Sequence, residues 1–241
     1  MDNDVNEPFL HYKDDESQID DFGIQHKIRE GFISKVYGII AYQIVLTSIV
    51  VFLGFTIPSF KELLLKSISL YYICFFISLL CVLLPICDQR IYQEVPKNYI
   101  ILTIFTLSYS WLVAEATCQF TMSSVMLALF LTFITVVTLS VYALKTKNDF
   151  TIYGGILSVC LVLLIFFSIF YLILPITLYF ILMTYVSLIL FAFYLIYDTQ
   201  LLIGSGKIKF SEDDYILAAI NIYLDVILIF LKILAIVGKK E

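Results

Sequence analysis

The chain has 241 residues, of which 61% are hydrophobic and only 15% are charged, and its formal net charge is −5 at pH 7. A soluble domain has roughly 45–50% apolar and about 25% charged residues, so this composition excludes an ordinary soluble globular protein. The negative charge is concentrated in the first 30 residues. The rest of the chain therefore carries no strongly charged surface, and nucleic acid is not an expected partner.

Seven apolar runs follow the acidic leader. Each is long enough to cross a hydrocarbon core of about 30 Å, which takes about 20 helical residues. The runs do not alternate as barrel strands do, and backbone groups in lipid need partners within their own segment, so each run predicts a helix. The predicted fold is an all-α bundle of seven transmembrane helices, at residues 35–57, 68–87, 98–121, 122–144, 152–174, 176–203 and 214–237.

Three regions follow from this pattern. Residues 1–34 predict an acidic, disordered cytosolic tail, because acids outnumber bases there and few apolar residues are available for a core. Residues 35–237 form the helical bundle, and residues 238–241 form a short basic tail. The leader is acidic, so we expect an uncleaved first helix rather than a signal peptide.

The lysines and arginines of the loops predict the orientation. With the N-terminus in the cytosol, ten of these residues lie on the cytosolic side and four on the other side. If the last segment enters and leaves on the same face, the ratio becomes twelve to two. Charge therefore favours a cytosolic N-terminus and leaves the side of the C-terminus open.

Four charged residues lie inside the predicted spans: Glu115, Asp198, Asp225 and Lys232. A central aspartate costs about 2.5–3.5 kcal/mol on insertion scales, so such residues tend to face the bundle interior and mark ion or proton paths. Lys232 lies about 10 Å along the helix from Asp225, too far for a tight bond. The more favourable partners are Asp198 and Asp225 themselves, facing each other across two helices.

Two carboxyl groups that face each other in a low dielectric share a proton, so this aspartate pair (Asp198 and Asp225) predicts a pH-sensitive latch in an ion pathway. Carboxylate oxygens also suit calcium, although two aspartates fall short of its usual six to eight ligands. We therefore expect calcium as a transient, permeant ion and no tightly bound cofactor. The alternative is a purely structural hydrogen bond between helices.

Four further residues are candidates for accessory roles. Asp213 and Asp214 lie in SEDDYILAAI, where Ser211 predicts an N-cap with acids in the first turn; a cytosolic ion vestibule is the alternative. Arg90 either approaches the aspartate pair or anchors the loop on the cytosolic side. Glu115 is placed near the far end of its span and either lines the pathway or lies at the interface.

Metal and nucleophilic chemistry lack their usual residues. The five cysteines lie in or at the edge of spans without CxxC spacing, and both histidines, His11 and His26, lie in the polar leader. An intramembrane aspartyl protease would use paired aspartates, but YDTQ and YLDV differ from its GxGD-like setting. The chain is therefore not expected to be an enzyme.

Four segments, in the same order along the chain, resemble the transmembrane Bax-inhibitor-motif (Lifeguard) family: KVYGIIAYQIVLT, LKTKNDFTIYGGIL, LIYDTQLL and AAINIYLDVILIFL. The resemblance covers about residues 29–237. The SEDDYILAAINIYLD run and the short acidic leader look most like the Golgi anti-apoptotic protein branch, which includes viral copies, and they imply that this chain is one.

The resemblance implies six helices around a central seventh, a location in Golgi or endoplasmic reticulum membranes, calcium leak from stores and inhibition of apoptosis. It also implies that Asp198 and Asp225 are the pH-sensitive pair. The chain departs from the family at Leu228, where Asn is usual, and at Ala235, where Arg is usual; Lys232 supplies a positive charge nearby. These departures bear on gating and ion selectivity.

Two functions of different classes remain. The first is a pH-sensitive, calcium-permeable leak channel of internal membranes, gated by the aspartate pair, that lowers store calcium and inhibits apoptosis. The alternative is a membrane-embedded binding protein that suppresses cell death through protein partners, with the acidic leader as its expected surface. The expected partners are membrane lipid, calcium ions, cell-death regulators and further copies of the chain.

Overall fold

The computed structural model describes residues 7–173 and 175–240. Two short 3-10 helices, Gln89–Tyr92 and Thr151–Tyr153, precede the fourth and sixth α-helices. An isolated β-bridge joins Phe120 and Lys240. The described residues otherwise form eight α-helices: α1 (Glu7–Thr56), α2 (Pro58–Lys66), α3 (Ile68–Cys87), α4 (Lys97–Thr117), α5 (Met122–Lys145), α6 (Gly154–Ile173), α7 (Thr177–Ile203) and α8 (Tyr215–Val237).

Seven segments of the described chain are helical, long and apolar enough to cross a membrane, which confirms the predicted all-α bundle of seven spans. The remaining helix, α2, lies where the sequence predicts a loop. Pro58 is its first residue, a position where the missing N–H costs nothing, and Leu64 is its buried contact with the bundle. The spans are Gly23–Thr56, Ile68–Pro85, Lys97–Thr117, Met122–Lys145, Thr151–Tyr171, Thr177–Ile203 and Tyr215–Val237.

The last helix, α8, lies at the centre of the bundle, as the resemblance implies. It packs against α1, α4, α5 and α7. Half of its span is buried, whereas Leu157 is the buried residue among the described side chains of α6. Tyr223 and Ile229 of α8 have no exposed surface. Side chains on α8 are therefore surrounded by other helices on several sides, and those on α6 mostly face lipid.

Helix α8 also crosses the bundle completely. Its 23 residues span about 35 Å, more than the hydrocarbon core. Beyond its end, the Lys239 carbonyl accepts a hydrogen bond from Thr121 N (3.0 Å), and Lys239 N donates to Ser124 Oγ (2.9 Å). The described part of the basic tail therefore lies against the α4–α5 connection, at what we call the Lys239 end of the bundle.

The opposite end, which we call the Arg29 end, gathers the start of the first span and three loops. Arg29 contacts the loop before α8, and Gln200 contacts the α5–α6 loop. Gln93, after the first 3-10 helix, contacts Asp214 just before α8. These connections fix the loops to one another as one polar cap.

The first helix begins well before the apolar run at residue 35. Residues 1–6 lie outside the described residues, and the chain is helical from Glu7 onward. Phe32 and Val36 are buried against the bundle, with 4% and 0% of their surface exposed. These apolar contacts extend the first helix beyond the apolar run that begins at residue 35, because residues before a span can still pack on the ends of neighbouring helices.

The predicted N-cap of the last helix is wrong. Ser211 does not cap α8: the chain forms a turn, with Asp214 N donating to the Ser211 carbonyl at 3.1 Å, and the helix begins at Tyr215. Asp213 and Asp214 therefore precede the helix and do not lie in its first turn. The Asp214 side chain instead accepts a hydrogen bond from Gln93 Nε2 at 2.9 Å.

Candidate functional site

The structure brings the two aspartates of the predicted pair together. Asp198 lies on α7 and Asp225 on α8, two helices that pack against each other along their length. Only 4% of Asp198 and 5% of Asp225 is exposed. Their carboxyl groups lie close enough for a hydrogen bond between the two side chains. Ionised carboxylates only accept hydrogen bonds, so this contact requires at least one proton on the pair.

The pair lies deep in the bundle. Asp225 is ten residues from Tyr215 and twelve from Val237, or about 15 Å and 18 Å along the helix. Oδ2 of Asp225 is buried and has no hydrogen-bond partner among the described residues. Tyr194, one turn before Asp198, is close enough to interact with both carboxyl groups. A buried carboxyl oxygen without a partner is costly, so the site favours a proton or a passing cation.

The described residues offer little for a resident metal ion. They contain no group of three or more His, Cys, Asp or Glu side chains that could hold one. The aspartate pair supplies at most four oxygens, fewer than the six to eight that calcium usually takes. The chemistry of this site therefore suits proton exchange and brief cation contact.

The predicted vestibule residues lie at the Arg29 end and apart from the pair. Asp214 is buried and bound to Gln93, and it is eleven residues, or about 16 Å, from Asp225 along the chain. Asp213 is exposed. Arg90 is exposed in the first 3-10 helix, where its backbone N–H donates to Asp88 Oδ1 at 3.0 Å.

Glu115 and Lys232 lie toward the Lys239 end. Glu115 is half-buried, accepts a hydrogen bond from Gln119 Nε2 (2.8 Å) and lines a 340 Å³ cavity between α3 and α4 that Leu231 of α8 also reaches. Lys232 is half-buried, and in the described part of the chain no ion pair joins it to Asp225. The candidate residues thus form a central pair with separate groups on either side.

The sequence matches the family model described as "Inhibitor of apoptosis-promoting Bax1" over residues 29–241. The chain belongs to the Bax inhibitor (Lifeguard) family. Protein lifeguard 3 of Mus musculus is 30% identical over 219 residues, which are 89% of this chain and 71% of that protein. Protein lifeguard 3 of Homo sapiens is 29% identical, with 89% and 70% covered. Protein LIFEGUARD 4 of Arabidopsis thaliana is 36% identical, with 89% and 87% covered.

Arg29, the first residue of the match to the Lifeguard family, is a structural residue that the sequence analysis missed. Its guanidinium donates to the Leu201 carbonyl (2.6 Å), the Phe210 carbonyl (2.7 Å) and Glu212 Oε1 (3.2 Å), and it stacks on the Phe32 ring. It thereby ties α1 to the end of α7 and the loop before α8. The sequence contains one indication of this role: Arg29 is one of only two arginines and lies just before the first apolar run.

A second group, which we call the loop clasp, consists of Asp149, Thr151, Gln200 and the Lys207 backbone. Oδ1 of Asp149 accepts from Thr151 N (2.9 Å) and Thr151 Oγ1 (2.6 Å), and Oδ2 accepts from Lys207 N (2.9 Å). Gln200 accepts from Phe150 N (2.7 Å) and donates to the Asn148 carbonyl (3.0 Å). The Thr151 hydroxyl and the backbone N–H groups of Lys207 and Thr151 donate to the Asp149 carboxylate and lower its pKa. The clasp gives a structural role to Asp149 and Thr151 of the NDFT segment and to Gln200 of the YDTQ segment in this Lifeguard chain.

Proposed function

We propose that this Lifeguard-family protein is a calcium-permeable leak channel of intracellular membranes whose opening depends on the protonation of Asp198 and Asp225. The observation that carries the proposal is the contact of two buried carboxyl groups on adjacent helices. Each aspartate costs about 2.5–3.5 kcal/mol in a span. Such a cost is difficult to explain by packing, since an apolar pair would join α7 and α8 without it.

A shared proton gives the pair its role. With one proton, a carboxyl–carboxylate hydrogen bond holds α7 to α8. Loss of that proton leaves two negative charges that attract a cation and repel each other. This repulsion lets α8 shift within the bundle. Because α8 packs against four helices, a shift of this helix changes the contacts of α1, α4 and α5 as well. The pair is thus placed where a small chemical change reaches most of the bundle.

The cellular consequence follows from the family. A leak in a store membrane lowers store calcium and so weakens death signals that depend on calcium release, consistent with the apoptosis inhibition in the family model's name. We place the protein in Golgi and endoplasmic reticulum membranes and assign it to the Golgi anti-apoptotic branch, with viral origin. The resemblance of the SEDDYILAAINIYLD run and the short leader supports this assignment.

The test is calcium flux in liposomes that contain the purified protein. Asp225→Asn keeps the shape of the side chain and leaves Asp198 as the only titrating group of the pair, so the pH midpoint of the flux should shift away from its native value. Glu115→Gln, the same acid-to-amide change in another span, should keep the native pH profile. A folded Asp225→Asn protein with the native pH profile, or a native protein without calcium flux, contradicts the proposal.

A further inference from the structure

A groove with a volume of 960 Å³ lies between α6 and α7. Its lining extends from Ile152 of the second 3-10 helix to Phe167 of α6, about 22 Å, and the groove reaches the α5–α6 loop at Asn148 and Asp149. Half of a hydrocarbon core is about 15 Å thick. The groove is therefore long enough for an acyl chain that starts at the Arg29 end and runs through one leaflet.

Four lysines lie in or beside the two loops that meet at the mouth of this groove. Asp149, which lines the mouth, accepts a hydrogen bond from the backbone of Lys207, and Lys147 is two residues before Asp149. Lys145 ends α5, and Lys209 follows Lys207 by two residues. All four side chains are exposed. The loop clasp thus brings lysines from two distant loops to the end of one apolar groove.

Acidic groups at the mouth do not cancel this charge. Both carboxylate oxygens of Asp149 are occupied by the hydrogen bonds of the loop clasp. Glu212, the acid nearest Lys209, accepts a hydrogen bond from Arg29. Asp213 and Asp214 follow Glu212 in the same loop, and Asp214 is bound to Gln93 before α4. Lys207 is the residue of this loop whose charge acts on Asp149, so Lys147 and Lys207 against Asp149 leave the mouth with a net positive charge.

The positive charge at the mouth of the groove decides which lipid occupies it. An acyl chain gains little by moving from the bilayer into an apolar groove, because lipid tails are as apolar as the groove. A lysine near an anionic membrane surface, in contrast, contributes appreciable attraction. A groove with an apolar floor and a basic mouth therefore discriminates between lipids by their headgroups.

We propose that the α6–α7 groove is a binding site for an anionic phospholipid, with an acyl chain along α6 and the headgroup against Lys147 and Lys207. The site is separate from the aspartate pair and does not depend on the proposed channel activity. Lys145 and Lys209 flank the headgroup, and Phe193 of α7, which is 46% exposed, lies along the chain.

Fluorescence quenching by lipids with brominated chains tests the site in the full chain. Trp111 is the only tryptophan, so Trp111→Phe removes the native signal, and Phe193→Trp places an indole in the groove. Phe76→Trp, on the lipid face of α3 and 57% exposed, is the matched control outside it. The vesicles consist of phosphatidylcholine with either brominated phosphatidylserine or brominated phosphatidylcholine as the minor lipid.

At Phe193→Trp we expect phosphatidylserine to bind at least about fivefold more strongly than phosphatidylcholine, the attraction of about one lysine. At Phe76→Trp we expect no preference. Lys147→Gln with Lys207→Gln should abolish the preference, whereas Lys27→Gln with Lys97→Gln removes the same charge from the same end and should keep it. The proposal is overturned if the preference is equal at both positions or if it survives the loss of Lys147 and Lys207. It is also overturned if neither lipid reaches the groove because a second copy of the chain covers it.

Discussion

Arg29 joins parts of the chain that lie more than 170 residues apart. Its side chain is 12% exposed, and it satisfies the carbonyl of Leu201 near the end of α7 and that of Phe210 in the following loop. Carbonyls at a helix C-terminus have no partner within the helix, so a cation placed there is favourable both as a donor and toward the helix dipole. The planar guanidinium reaches both carbonyls and Glu212 at once.

Arg29→Ala should therefore destabilise the protein. The buried Leu201 carbonyl would lose a charged donor, and hydrogen bonds to charged groups contribute about 1.5–3 kcal/mol each. We expect the free energy of unfolding to fall by about 2–3 kcal/mol, measured by reversible denaturant unfolding in detergent micelles. Arg29→Lys should recover only part of this loss, because an ammonium cannot reach both carbonyls in the same geometry.

Lys27→Ala is the matched control for this experiment. It removes the same charge two residues earlier on the same helix, from a side chain that is exposed. We expect its free energy of unfolding to stay within about 0.5 kcal/mol of the native value. An Arg29→Ala protein as stable as the Lys27→Ala protein would show that the hydrogen bonds of Arg29 do not hold the Arg29 end together.

Residues differ in how well the sequence predicts their role. Asp198 and Asp225 stand out because each charge interrupts an apolar run, and their pairing follows from the cost of leaving either one alone. Arg29, Gln93 and Gln200 do not stand out, because polar residues at the ends of spans are ordinary. Their partners are fixed only when helices distant in sequence pack side by side.

At the scale of elements, the loop clasp joins the α5–α6 loop to the loop between α7 and α8. The pKa of Asp149 lies below its ordinary value of about 3.9, because the Thr151 hydroxyl and backbone amides donate to the carboxylate. A lowered pKa in the folded state means that the carboxylate stabilises the fold above about pH 4. This contribution is lost only as the pH falls through the lowered folded pKa.

Asp149→Asn should open the clasp at neutral pH, because an amide cannot accept the Lys207 N–H on its nitrogen side. Hydrogen exchange of peptides that cover residues 205–210 should become faster in this variant at pH 6. The difference from the native protein should shrink only as the pH falls through the lowered folded pKa, below about 4, because the native carboxylate becomes protonated there. Asp213→Asn, an exposed acid nearby, should show native exchange at both pH values.

A difference between Asp149→Asn and the native chain that stays the same from pH 6 down to the lowest pH would contradict a role for the ionised carboxylate. A variant with native exchange at pH 6 would show that the hydrogen bond from Ile208 N to Thr151 Oγ1 (3.3 Å) holds the two loops together without Asp149. The two results separate the contributions of Asp149 and Thr151.

Helix identity followed from the sequence better than helix ends did. Every predicted span is a helix because a membrane-spanning segment must satisfy its own backbone groups. The ends depend on contacts with other elements: α8 begins at Tyr215 because Asp214 is bonded to Gln93, and α2 forms where Leu64 is buried. A pattern of apolar residues does not contain these contacts, so Ser211 was the wrong cap.

At the scale of the whole molecule, the number of spans decides on which side the chain ends. Loop charge alone favours a re-entrant last segment slightly more than a crossing one, by twelve to two against ten to four. The structure gives α8 one continuous course from the Arg29 end to the Lys239 end, where Thr121 N bonds the Lys239 carbonyl. The central position of α8 favours a crossing segment over a re-entrant one, because its whole length fills the bundle.

The two ends of α8 should therefore be accessible from opposite sides of the membrane. Ser205→Cys places a thiol at the exposed Arg29 end, and Lys240→Cys places one at the exposed Lys239 end. In sealed vesicles of one orientation, a membrane-impermeant maleimide should label only one of these thiols, and the other only after the membrane is permeabilised. The unaltered chain gives the background, because its one exposed described cysteine, Cys160, lies within the α6 span. Labelling of both positions from the same side would mean that α8 re-enters, and the aspartate pair could then not lie between two helices that cross the membrane completely.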